Sequence, residues 1–561
     1  MMEAGVSARL AAASRGWRPW ALLLTLCLAL YLPGIGAMPP LDRDEARFMQ
    51  ASRQMLESGD LLRIRFQDEA RNKKPAGIYW LQAASVALVS APASTAAWPY
   101  RLPSLLGATA AVLFVFGFGA RLVGRPAALI AAALLAASVL LVAEAHLAKT
   151  DAVLLAATAA AQGALGAVYA REREEKPAGP GAAFLFWIAE GLGILIKGPV
   201  LPLVSLLTVL GLGIADRRWR WLAGLRPAWG VPLALALVLP WFIAIEAATG
   251  GAFAGEAVGH DFLGKLVGAQ ESHGAPPLTY LLLLPVTFWP GSALLTVGAT
   301  AAWRHRGETA LRFLLAWLVP SWIVFELVPT KLPHYVLPLY PALALLIGSA
   351  LLRRAAASPG RSQRLPDALA FALWALVGAA LILALIGLPI ALGGRVEAWS
   401  LVPAAAILGC AFLLLRRFGS GFGIAAAPLL AATGFLVFAP AYAAILPGLR
   451  GFWLSRSAAE LVWKHPPPRG SSMIETVGYN EPSLVFLLGG KTRSADAGQA
   501  AQDLAAEPGA LALVAGGEEA RFRAALGARG MQAVKLGEAS GVDYSRSSRP
   551  MTIALYAARA G

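Results

Sequence analysis

Apolar runs of about 17–25 residues, the length that crosses roughly 30 Å of hydrocarbon, recur along most of the chain. They begin near Trp20, Arg101, Pro126, Asp151, Ala182, Pro199, Ala228, Leu278, Thr309, His334, Asp367, Trp399 and Phe422. Short basic turns separate them. These hold Arg121 and Arg125; Arg171, Arg173 and Lys176; Arg217, Arg218, Arg220 and Arg226; Arg304 and Arg306; Arg353, Arg354, Arg361 and Arg364; Arg416 and Arg417. One further run, Ala76 to Ala91, is apolar but short for a span. Were it to cross, the basic turns would alternate onto the wrong side of the later helices. Read as a re-entrant or interfacial helix, it leaves seventeen cations in the turns on the N-terminal side. The opposite short turns then hold only Lys149, Lys197, Lys265, Lys331 and Arg395. The excess of Lys and Arg in cytosolic turns therefore predicts thirteen spans, an inner-membrane location, a cytoplasmic N-terminus and a C-terminus outside.

This topology leaves a long first outer loop, about residues 39–100. Within it Phe48, Met49, Met55 and Leu56 share one helical face, with Arg47, Gln50, Gln54 and Glu57 elsewhere, which predicts a helix lying on the membrane surface. Pro75 opens the Ala76–Ala91 segment. After about Gly448 polar stretches alternate with short apolar runs such as Ala510–Ala515 and Thr552–Tyr556, around a helical pattern over Glu518–Leu526. The pattern predicts a membrane domain over residues 1–449 and a small α/β domain over 450–561 on the outer face. The first apolar run, preceded by Arg9, Arg15 and Arg18, is long for a signal peptide and is read as an uncleaved span.

Composition agrees. The chain of 561 residues is 57% hydrophobic and 14% charged, against about 25% charged in soluble domains. Its formal charge of +15 sits largely in the basic turns, which is a topology signal and argues against nucleic acid. Cys27 and Cys410 both lie in apolar runs, so neither a disulfide framework nor a thiolate metal site is available.

Charges at membrane depth are expensive and need a reason. Four clusters stand out, all on the predicted outer side. Asp42, Arg43, Asp44, Glu45 and Arg47 follow the first span; helix capping accounts for one or two of the acids but not for all three. Arg71-Asn72-Lys73-Lys74-Pro75 precedes the re-entrant segment and suits either lipid headgroups or a gripped phosphate. His146, Lys149 and Asp151 lie together at the end of the third span. Pro329 to Pro338 is a proline-shaped turn presenting Lys331, His334 and Tyr335. Lys197, beside Gly198-Pro199, adds a further outer cation, and Glu190 lies within the preceding span. No phosphate-binding glycine loop, dinucleotide fingerprint or H-E-x-x-H spacing occurs. His260, Asp261 and His273 could form a weak metal site, although solvated polar residues explain them as well.

Asp42-Arg43-Asp44-Glu45-Ala46-Arg47 resembles the D-E-A-R motif in the first outer loop of the integral-membrane GT-C glycosyltransferases related to protein O-mannosyltransferases. His146–Asp151, Glu190–Pro199 and Thr330–Pro338 resemble stretches of one branch, the 4-amino-4-deoxy-L-arabinose transferases that modify lipid A (the ArnT family). The resemblance implies a polytopic GT-C fold with a periplasmic C-terminal α/β domain and a periplasmic active site. It further implies transfer of the aminosugar from undecaprenyl phosphate to a lipid A phosphate, which lowers the negative charge of lipid A and confers polymyxin resistance. By resemblance Asp44 and Asp151 face one cavity and Lys74 lies near the donor phosphate, although the Asp42/Asp44 doublet leaves open which acid fills the family position.

The residue types suit that chemistry. The leaving group is a phosphate, so cations rather than a general acid are needed, and Arg47, Lys74, Lys331, Lys197 and Tyr335 are the candidates on the donor-phosphate side. Asp44 would orient the acceptor, steady charge at the anomeric carbon or take a proton, with Asp151 and Glu45 as further acids and His146, Lys149 and His334 in support. A single in-line displacement with inversion follows, with no nucleotide and no required metal. Two other classes fit less well: transfer of a hexose from a polyprenyl phosphate onto protein, and a lipid transporter. Transporters place their key charges at broken helices near the midplane, often within inverted repeats, and no repeat is visible.

Overall fold

The computed structural model describes residues 2–174, 179–257, 259, 274–356, 364–392, 395–417, 422–467, 474–545 and 549–560. A bundle of apolar helices forms its body. After a short helix α1 (Met2–Ala13), α2 (Arg18–Tyr31) leads into the first loop, which holds α3 (Asp44–Ser58), a small hairpin β1–β2 (Arg65–Phe66, Glu69–Ala70) and α4 (Gly77–Val89). Next come α5 (Trp98–Leu122), the pair α6 (Arg125–Ala136) and α7 (Val139–Ala145), α8 (Asp151–Arg173), α9 (Pro180–Lys197), α10 (Val200–Asp216) and α11 (Pro227–Thr249). The bundle continues through Thr279–Arg304, Thr309–Leu327, Pro333–Ala355, Leu365–Ala391, Ala398–Arg416 and Ala426–Ile445.

Among the described residues nine helices are long and apolar enough to cross a membrane, and eleven if each of two bent pairs is one span. The bends are 63° between α6 and α7 and 114° within Thr279–Arg304. Each of the thirteen runs read from the sequence coincides with one of these, or with the shorter apolar helices α2 and α10. The Ala76–Ala91 run is α4, thirteen residues long. It packs Ile78 and Tyr79 against Leu195, Val238 and Trp241. Gly77 permits that approach, because a Cβ there would stand 2.6 Å from the carbonyl oxygen of Leu195.

The two ends of the bundle differ. At one end the basic turns are tied down: Asp216 receives Arg173, Arg312 and the Tyr169 hydroxyl, Glu308 receives Arg353, and Arg125 donates to the carbonyls of Ser14 and Gly16. The other end carries the first loop and the C-terminal region. There a five-stranded sheet, in the order Thr492–Ser494, Ile474–Val477, Leu511–Ala515, Arg549–Ala560, Met531–Asp543, begins parallel and ends as an antiparallel hairpin. Its two faces bury separate cores, one against Leu454–Lys464 and Pro482–Leu487, the other against Ala497–Ala506 and Glu519–Gly527.

Helix α3 departs from the surface helix that its sequence predicts. Phe48, Met49 and Met55 are buried as expected, but so are Gln50, Ser52 and Arg53 on the polar side. Ser52 is covered by α4, bonding Gln82 at 2.8 Å, and the C-terminal domain covers the other two: Arg53 reaches the Phe486 carbonyl at 3.5 Å, and a Cβ at Gly490 would lie 2.9 Å from the Gln50 amide. Phe486 stands edge-on to Tyr100 at 5.4 Å and is fully buried, worth roughly 1.5–3 kcal/mol of docking.

Candidate active site

Arg43 occupies a strained left-handed backbone conformation (φ 67°, ψ −107°) immediately before α3. Its guanidinium donates to the carbonyl of Ser545, which helps hold this turn against the C-terminal domain. The turn presents Asp44 at the N-terminus of α3, with a side chain 52% exposed and Arg71 at 4.0 Å. Asp42 points the other way. Its carboxylate accepts from the Ser483 amide at 3.1 Å, its backbone amide donates to the Tyr544 hydroxyl at 2.9 Å, and burial pushes its pKa up to about 6. The geometry therefore separates the doublet: Asp44 faces the cleft and Asp42 holds the domain contact.

Glu45, expected among the reacting acids, has a different position and role. It is 1% exposed, and Arg101 grips both its oxygens at 2.8 and 3.0 Å. The amides of Leu41 and Ala148 donate to it as well, at 2.8 and 2.9 Å. With its acceptor sites filled and no access to the cleft, Glu45 anchors the first loop to the start of α8. His146 likewise belongs to the frame. Its ring nitrogens lie 2.7 and 2.9 Å from the carbonyls of Val142 and Pro33, and it stacks on Tyr442 at 3.8 Å. Lys331 donates to the carbonyls of Ala275 and Val328, at 3.0 and 2.6 Å, and so braces its own turn.

A cleft of about 660 Å³ opens beside Asp44. Arg43, Arg47, Arg71 and Lys73 line it together with Asp44, Glu69, Glu256, Asn480 and Glu481. Leu332 also lines it, two residues before His334, and Pro482 and Val485 complete the wall that the C-terminal domain supplies. Next to this cleft lies a buried charge network. Lys197, at the C-terminus of α9, bonds Asp151, the first residue of α8. Lys149 bonds Glu144 at 2.9 Å. His334 stands between the two acids, 3.7 Å from Glu144 and 3.9 Å from Asp151. Tyr335 offers its ring face to Lys197 at 5.3 Å. Burial alone would weaken the charge on Lys149, but Glu144, Asp151 and the more distant Asp44 outweigh it and raise its pKa. Lys74 is likewise within electrostatic reach of His334. The network thus lies within electrostatic reach of the residues at the cleft.

Glu144 was not among the residues singled out from the sequence. It lies inside the apolar run of α7, and an ionisable residue at that depth was itself a signal. One ligand atom each from Glu144, Asp151 and His334 lie within 4.8 Å of one another, a spacing that a metal ion could bridge. Two ammonium groups already neutralise these carboxylates, so the donor set suits an ion-pair network better than a divalent cation. The other metal candidates, His260, Asp261 and His273, lie outside the described residues.

A helical bundle with this first loop, and with charged residues gathered at the helix ends beside it, is the GT-C glycosyltransferase fold. Over 95% of its length the chain superposes on 98% of ArnT from Cupriavidus metallidurans bound to undecaprenyl phosphate, with a TM-score of 0.73 at 19% identity. The apo state of that protein gives a TM-score of 0.72. Residues 73–243 match the dolichyl-phosphate-mannose-protein mannosyltransferase family. In sequence the chain is 31% identical over 336 residues to the undecaprenyl phosphate-alpha-4-amino-4-deoxy-L-arabinose arabinosyl transferase of Pseudomonas paraeruginosa. It is 28% identical over 353 residues to that of Edwardsiella ictaluri. The matched segments span about 60% of these relatives' length.

Proposed function

We propose that the chain is an inner-membrane glycosyltransferase that moves 4-amino-4-deoxy-L-arabinose from undecaprenyl phosphate to a lipid A phosphate on the periplasmic face. The observation that carries this reading is Asp44 in a basic cleft, its charge reaching Lys149 of the neighbouring Glu144–Lys149 and Asp151–Lys197 network. It occurs in a fold shared with a protein solved with undecaprenyl phosphate. The excess of basic residues at the opposite end of the bundle supports a periplasmic cleft.

The chemistry follows from the groups present. The bond from the anomeric carbon to the undecaprenyl phosphate oxygen breaks, and its electron pair leaves on the phosphate. Lys74 and Arg47 stabilise that anion, helped by Lys197 and Tyr335 of the neighbouring network. A lipid A phosphate oxygen forms the new bond from the opposite face, with inversion. A phosphomonoester with a second pKa of about 6 is largely ionised near neutrality, so Asp44 need not remove a proton. Its role is to orient the acceptor and to steady positive charge at the anomeric carbon. Asp151, held by Lys197, keeps the opposite wall in place. The reaction requires no nucleotide and no metal.

Full-length protein in lipid nanodiscs, given undecaprenyl phosphate carrying the aminosugar together with lipid A, tests the reading. Mass spectrometry should show lipid A heavier by one aminopentose, and Asp44→Asn should abolish the product while the protein folds normally. Unmodified lipid A, with sugar transferred instead to a co-supplied protein acceptor, would overturn the proposal in favour of a protein mannosyltransferase-like activity.

A further inference from the structure

One carboxylate oxygen in the buried charge network beside the cleft lacks a donor among the described residues. Glu144 is 4% exposed, and its Oε1 accepts from Lys149 at 2.9 Å. Its Oε2 is buried and has no hydrogen-bond partner among the described residues. Buried polar oxygens nearly always find a donor, because leaving one dry forfeits its hydration with nothing in return. The surrounding groups do not fill the gap. Lys149 is committed to Oε1, Lys197 to Asp151, and the His334 ring stays 3.7 Å or more from both acids. Glu144, Asp151 and His334 nevertheless converge, with one ligand atom from each inside 4.8 Å. The orphan oxygen therefore belongs to a site prepared for one more hydrogen-bond donor.

The charge pattern indicates what kind of donor fits. Arg47, Arg71 and Lys73 line the cleft, and Lys74 adjoins them, which suits an anion. The two acids belong to the buried network within electrostatic reach of these cations, at the head of α8 and in α7. A ligand that carries a phosphate at one end and a cation at the other matches this arrangement. A phosphate-linked 4-amino pentose has that form, its amine being protonated near neutrality. We infer that Glu144 Oε2, backed by Asp151, accepts a hydrogen bond from the C4 ammonium of the donor sugar and so selects an aminosugar over the corresponding hydroxyl sugar. This inference rests on the donor proposed above.

The test compares two donors on full-length protein in nanodiscs with lipid A as acceptor: undecaprenyl phosphate carrying 4-amino-4-deoxy-L-arabinose, and the same lipid carrying L-arabinose, in which a hydroxyl replaces the ammonium. A charge-assisted hydrogen bond lost in a dry site predicts a preference in kcat/KM of roughly 100-fold for the amine. Glu144→Gln should reduce that ratio to less than about 5-fold, the amine donor losing most. Equal use of both donors by the wild-type protein would overturn the inference and leave the proposed reaction intact. So would a Gln variant that slows both donors by one common factor, since that is the mark of a residue acting only through Lys149. The wild-type comparison decides the matter even if the variant fails to fold. Turnover of neither donor would overturn the proposed reaction itself, and the role of Glu144 with it.

Discussion

Replacing Arg101 with Met should disable the protein without touching any residue that lines the cleft. Arg101 is fully buried near the start of α5 and holds Glu45 with two hydrogen bonds. It also donates to the carbonyls of Ile35, Met38 and Pro39, at 2.9, 2.7 and 2.9 Å. Removing one partner of a buried ion pair costs about 3–5 kcal/mol, because the other charge is stranded. The three carbonyls would lose their donors as well, each worth about 1–3 kcal/mol where no water replaces it. These losses overlap, so about 4–6 kcal/mol is the reasonable expectation, comparable to the whole stability of many domains. The damage should be local to residues 33–58, the segment that Arg101 ties to the bundle. The double variant Glu45→Leu, Arg101→Met removes both charges and should recover half or more of the loss. Thermal unfolding in detergent measures each variant, and hydrogen exchange over α3 locates the effect. Single variants that each cost under about 1 kcal/mol would refute the anchoring argument, as would a double variant whose loss equals the sum of the singles. Recovery of transfer activity in the double variant would further show that Glu45 has no chemical part to play.

Three other expectations follow. Burial raises the Asp42 carboxyl to about 6 in the folded protein, so its stabilising contribution is full below the ordinary value of 3.8 and is lost as the pH rises through 6, by at most about 3 kcal/mol. Limited proteolysis of the C-terminal domain should therefore be slower at pH 5 than at pH 7.5, and Asp42→Asn should flatten the difference; a slope that persists in the variant would rule Asp42 out. Lys197→Met strips Asp151 of its buried partner, and transfer should fall by at least about 100-fold with the protein still folded, whereas Lys197→Arg should retain part of the activity. Wild-type rates in Lys197→Met would dismiss the pair. Gly77→Ala should lower the melting temperature by several degrees, since its methyl would meet the Leu195 carbonyl at 2.6 Å and push α4 off α9; an unchanged melting temperature would show that the contact relaxes freely.

The hydrophobic pattern alone located the helices of the bundle, because length and apolarity are properties of contiguous sequence. The short run at Ala76–Ala91 was legible for the same reason, with charge alternation supplying the rest. Partners distant in sequence were not legible. Glu45 read as a reacting acid because nothing nearby could show that Arg101, 56 residues away, saturates it. The surface helix expected at α3 missed its second cover, since the residues that bury Gln50 and Arg53 lie more than four hundred positions later. His146 and Lys331 were marked by their residue type, yet their polar atoms are taken up by backbone carbonyls. Glu144 was the reverse case. It was overlooked inside an apolar run, although five residues later Lys149 supplies the charge that makes its burial tolerable.

The wall that Asn480 to Val485 adds to the cleft has a consequence for how the protein is made. The ribosome releases Asp44 early, but the segment that closes over it is joined through the Asp42–Ser483 bond, whose two residues are 441 positions apart. Until the intervening helices and the C-terminal domain have folded, the first loop lacks the wall that Asn480 to Val485 supply. A chain still being made therefore carries the acid and the lysines but no finished cleft until residues 480–485 have been added and folded.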